Sequence, residues 1–76
     1  MDKLHPLSQQ ILTLLFRRAN QAHPAIGMKL FMMALNNYSA NDWIAYLSNE
    51  LIAVFAYDHS MITLIKTTID RLREFR

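Results

Sequence analysis

Residues 38–65 read YSANDWIAYLSNELIAVFAYDHSMITLI, and their apolar spacing decides the fold. Ala40, Trp43, Ile44, Leu47, Leu51, Val54 and Phe55 recur at the i, i+3, i+4 and i+7 spacing of a helix with one buried stripe. Ser39, with Asp42 three residues later, forms the acidic variant of a capping box, and Asp42 also suits the positive end of the helix dipole. Asp58 or Ser60 can cap the segment that follows. The spacing predicts a helix over 40–57, at the centre of the core, and another starting at 60.

Outward from this stretch, punctuation marks the remaining boundaries. Pro6 and Pro24 each suit the first turn of a helix, where a missing N–H does no harm, and Asn36-Asn37 suit a helix end. The chain is expected to be a single all-α domain, residues 1–76, folded as a compact bundle of four short helices at 6–21, 25–37, 40–57 and 60–75. It contains no internal repeat, low-complexity tract or linker, and its one glycine, Gly27, falls inside a helical pattern.

The helices differ in how much apolar surface they carry. In the first, Leu7, Ile11, Leu12, Leu14, Leu15, Phe16, Ala19 and Ala22 spread over roughly 200° of arc, wider than one core contact needs. The fourth sets Met61, Ile62, Leu64, Ile65, Ile69, Leu72 and Phe75 against a charged face of Lys66, Asp70, Arg73 and Glu74. The second, PAIGMKLFMMALNN from Pro24, has Lys29 as its only polar side chain before Asn36. A helix apolar all round is either central in a bundle or covered by another molecule, and a chain this short cannot surround one of its own helices. Met28, Phe31, Met32, Met33 and Leu35 are therefore candidates for a protein interface. Tyr46, Glu50 and Tyr57, on the outer arc of the third helix, are further contact candidates.

Composition agrees with an interface. Apolar residues make up 53% of the 76 and mean hydropathy is +0.07. The usual apolar share is about 45–50% even with glycine counted, and chains this small commonly need a staple or a partner. There is no cysteine, which excludes disulfides and thiolate metal sites and leaves a partner. Charge is segregated: residues 1–30 carry +3, residues 31–60 carry −3 and residues 61–76 carry +2. Between Lys29 and Lys66 there is no basic side chain, as expected if that interval is mostly core and subunit interface, where an unpaired cation is costly.

Other function classes find weaker footing. Arg17, Arg18, Lys66, Arg71, Arg73 and Arg76 are candidates for a nucleic-acid patch if the first and last helices pack side by side, which would make the chain a small DNA-binding transcriptional regulator. Residues 30–47 were a natural place for a helix-turn-helix. Its turn would lack glycine, however, and the reading helix, opening Ala40-Asn41-Asp42-Trp43, would carry no basic residue. The amphipathic first helix, with Arg17 and Arg18 near its end, would also permit docking on a membrane surface. His5, His23 and His59 lie at segment boundaries without metal-ligand spacing, the serines lack a nucleophile-elbow context, and one glycine cannot build a phosphate loop. No enzyme, cofactor or metal is expected.

The apolar run from Ile11 to Phe16 is too short for a signal-peptide core, and residues 43–57 are too interrupted to span a membrane. A cytoplasmic location is the expectation. Together these readings describe a small non-catalytic protein–protein interaction module, such as an adaptor, inhibitor or regulatory factor. It is expected to form a homodimer and to bind a further, unidentified protein.

Overall fold

The structure, a computed structural model, describes residues 3–76, so the first two residues of the expected domain lie outside the described residues. It is an all-α bundle, 81% helical, of four helices with no strand among the described residues. Helix α1 is Pro6–Ala22 and α2 is Pro24–Leu35. Helix α3 runs continuously through α-helical Ala40–Tyr46, a π-helical turn at Leu47–Leu51 and α-helical Ile52–Val54; α4 is His59–Glu74.

Each boundary has a local cause. Pro6 and Pro24 open α1 and α2 at the first turn. The Leu7 N–H donates to His5 Nδ1 at 3.1 Å, so this histidine caps α1. Helix α2 stops at Leu35, short of the expected 37, because Asn37 enters the left-handed region at φ 53°. The Asn37 N–H then donates to the Ala34 carbonyl at 3.1 Å and the Tyr38 N–H to the Met33 carbonyl at 3.3 Å, the paired bonds of a Schellman motif with asparagine in the usual glycine position. The Asp42 N–H donates to Ser39 Oγ and the Met61 N–H to Asp58 Oδ1, each at 3.1 Å, capping α3 and α4.

Helix α3 departs from the expected geometry in its middle. Its buried residues include Trp43, Leu47, Leu51 and Phe55, spaced by four throughout. In an ideal α-helix that spacing drifts by about 40° per step, and Val54, not Phe55, would return beneath Trp43. The π-helical turn takes up less rotation per residue, which swings Phe55 into the core and leaves Val54 47% exposed. Val54 is therefore not part of the core stripe, and α3 ends there rather than at residue 57.

Helix α1 packs on both α2 and α4, and α3 packs on α4. The central helices are thus α1 and α4, a correction to the expectation that α3 would be. Helices α1 and α4 run antiparallel, pinned at both ends. Arg18 donates from Nη2 to Ser60 Oγ at 2.7 Å, and at the other end the His5 ring stacks on Phe75 with centroids 4.2 Å apart. The radius of gyration, 11.3 Å, equals the ~11 Å expected of a compact chain of this length.

Nine of the thirteen buried apolar residues described fall between Leu30 and Ile65. At those nine positions a cation would sit in the core without water, but many other positions of the interval are exposed, so core burial alone does not account for its lack of lysine and arginine. Where polar side chains do enter α4's interior they are satisfied, as in fully buried Thr68, whose hydroxyl donates to the Leu64 carbonyl at 2.7 Å.

Candidate interaction surface

Helix α2 has two apolar faces. Gly27, Leu30 and Met33, three residues apart, are buried against the rest of the bundle. Met28, Phe31, Met32 and Leu35 stand on the other side, 60%, 47%, 47% and 60% exposed. At 100° per residue these four occupy an arc about 100° wide, the width a helix normally turns toward a core. An outward face is thus patterned as a buried one. The cause is α2's position: it finds its main packing partner in α1 alone, so most of its circumference has no intramolecular neighbour.

Gly27 sets how closely the two helices approach. A Cβ built on it would lie 2.8 Å from the Asn20 backbone Cα and would collide with the Asn20 side chain as well. Only glycine permits this crossing, and the sequence pattern showed its place in the helix without showing its reason.

The expected interface candidates separate into two groups. Met28, Phe31, Met32 and Leu35 are brought together on the exposed face of α2, and Tyr57 and Glu50 are exposed. Met33 and Tyr46 are core side chains, 2% and 7% exposed, a correction to their assignment as outward contacts. For Met33 the reason is its place three residues from Leu30 on the inward face. Lys29 of α2 lies over the Tyr46 ring, its Nζ 5.6 Å from the centroid, and Met33 borders the same cleft as these two. No pattern within α3 itself would reveal that cover. Leu7 and Leu14, at the edge of α1's wide apolar arc, are 37% and 46% exposed, which is the surplus of that arc beyond one core contact.

The same cleft holds Asp42 and Glu50, so Lys29 faces carboxylates from the cation-free interval. Burial pushes the Tyr46 phenol above its ordinary pKa of 10.0, and the negative charge of Glu50 adds to the shift. A raised pKa means that the folded state holds the proton more tightly than the unfolded chain. Its contribution to stability is complete below pH ~10 and is lost as pH rises through the folded-state pKa. Urea denaturation at increasing alkaline pH should show stability falling in that window, and Tyr46→Phe should flatten the fall. An unchanged alkaline profile in the phenylalanine variant would contradict this assignment.

On the other side of α2, a cavity of about 520 Å³ opens between α1, α2 and the start of α3. Phe16 and Phe31 meet across it with centroids 6.4 Å apart, and Tyr38 meets Trp43 edge-on at 6.4 Å. Sequence periodicity places Trp43 correctly in the core but gives no sign of this opening beside it.

The nucleic-acid candidates do not gather into one patch. Helices α1 and α4 do pack side by side, but their antiparallel course puts Arg17 and Arg18 beside the start of α4 and Arg71, Arg73 and Arg76 at its far end. The separation is roughly 20 Å at 1.5 Å per residue, with Lys66 between them. Arg76 is turned toward α3, donating from Nη1 to Asn41 Oδ1 at 2.7 Å. Among the histidines, His5 is engaged in a cap and a ring stack, His23 precedes α2 and His59 opens α4. No helix among the described residues is long and apolar enough to cross a membrane. No family model matches the chain, and neither a curated protein nor a solved structure matches it.

Proposed function

We propose that the chain is a small protein–protein interaction module that acts by binding rather than by chemistry and pairs with a second copy of itself through the outer face of α2. The observation that carries this reading is the stripe of Met28, Phe31, Met32 and Leu35, core-like in width and composition but left about half exposed by its own chain, which meets it at the Phe16 ring beside Phe31. Soluble monomers rarely leave such a contiguous apolar surface open, and two-fold pairing covers it with the same stripe from the second copy. Methionine and phenylalanine are well suited to this contact, being adaptable in shape and large in apolar area. Tyr57, fully exposed in the turn after α3, and Glu50, exposed on α3, are the contact candidates left for a further protein partner. An adaptor, inhibitor or small regulatory factor would use such a scaffold.

A two-fold axis passing through the stripe brings its middle residues close to their own copies. Because the chain has no cysteine, a single engineered one reports this directly. Met32→Cys is expected to form a disulfide-linked dimer rapidly under mild oxidation, whereas Thr63→Cys, on the exposed face of α4, is not. Equal, slow cross-linking of the two variants would count against pairing through α2.

A further inference from the structure

The cavity beside α2 carries an inference of its own, resting on one chain and not on pairing. Its walls are aromatic and aliphatic, contributed by Phe16, Leu30, Phe31, Tyr38 and Trp43, and its volume of about 520 Å³ lies within the ~300–1,000 Å³ range of small-ligand clefts. Among the described residues, Lys3 is the only charged side chain in the lining. Two of the other polar groups are already engaged: Gln9 donates from Nε2 to the Leu4 carbonyl at 2.7 Å, and the Thr13 hydroxyl donates to the Gln9 carbonyl at 2.9 Å. An apolar chamber with a single cation complements a molecule having an apolar body and one negative charge.

We propose that this cavity binds a monoanionic amphiphile of the alkyl carboxylate class, its chain among the aromatic rings and its carboxylate at the Lys3 ammonium. Neither a cationic nor an uncharged amphiphile of equal length would match both features, since the first is repelled and the second leaves the lysine unused. Trp43, the only tryptophan, lines the cavity while 3% exposed, so its emission reports an occupant.

The test titrates the full chain with decanoate below its micelle concentration, following Trp43 fluorescence, with stoichiometry from calorimetry. A saturable change at one decanoate per chain is expected, with weaker binding of decanol and of decyltrimethylammonium. Lys3→Glu should weaken decanoate by about 5-fold and improve the cationic probe. Ala34→Phe, which fills the cavity from an exposed position of α2, should abolish the response while circular dichroism stays unchanged. The absence of saturation in the wild-type chain would overturn the proposal, as would equal binding of the three probes or insensitivity to both substitutions. Running the titration alongside light scattering separates the cavity from the pairing surface. Binding that merely tracked dissociation of a dimer would assign the cavity to the second copy and overturn the ligand site, whereas saturable binding at constant mass supports it.

Discussion

Met32→Glu is expected to halve the solution mass, from about twice 8.9 kDa to 8.9 kDa, while helical content by circular dichroism stays near that of the wild type. Met32 lies in the middle of the exposed stripe of α2, so a carboxylate there remains hydrated in the monomer and costs the fold little. In the paired state the same carboxylate would be taken from water and set near its copy. An unpaired buried charge and a like-charge neighbour each oppose association, so the dimer should weaken by at least ~100-fold, or ~2.7 kcal/mol. Met33 supplies the contrast one residue away. It is 2% exposed, so Met33→Glu would place the charge in the core and unfold the chain whatever its state of association. Loss of helix in both variants would mean that the outer stripe is needed for the fold itself.

The largest effect of a minimal substitution is expected at Gly27. Alanine is the better helix former by about 1 kcal/mol, so local propensity alone would predict a more stable protein. The new Cβ, however, would lie 2.8 Å from the backbone Cα of Asn20, where no flexible side-chain end can give way. Helices α1 and α2 would have to separate, disturbing Leu15, Ala19 and Leu30 in the core. Overpacking of this kind costs roughly 1–3 kcal/mol beyond any propensity gain. A net loss of ~1–2 kcal/mol corresponds to a fall in Tm of about 5–15 °C for a domain of this size, measurable by thermal denaturation. Gly27→Val should be worse, adding bulk at the same crossing. An unchanged or raised Tm in the alanine variant would show that the crossing is looser than its geometry implies.

These two positions illustrate what the sequence could and could not convey. Helix number and most boundaries were legible because local chemistry sets them: prolines at first turns, Ser39 and Asp58 as caps, and the asparagine pair that hosts the Schellman motif. The π-helical turn was visible only as four-residue spacing from Trp43 to Phe55, a drift that periodicity arguments average away; Val54 was misplaced as a result. Which helix is central depends on how the helices pair. That information is spread over all four, and α3 was expected where α1 and α4 stand.

The candidate site was legible in the same uneven way. An apolar excess on α2 is a property of its own residues and reads directly from sequence. The division of that excess into an inward face of Gly27, Leu30 and Met33 and an outward face of Met28, Phe31, Met32 and Leu35 required knowing which side α1 occupies. Tyr46 was hidden for the same reason, since Lys29 of α2 lies over its ring. The cavity gave no sequence signal at all, because Lys3 comes from the segment before α1 and Phe16, Phe31 and Trp43 from three separate helices.

The central claim is that α2 pairs with its own copy, and the solution mass of the unaltered chain tests it most directly. Light scattering at micromolar concentration is expected to give about twice the chain mass of 8.9 kDa. A mass of 8.9 kDa, with full helical content retained as concentration is raised, would contradict the claim.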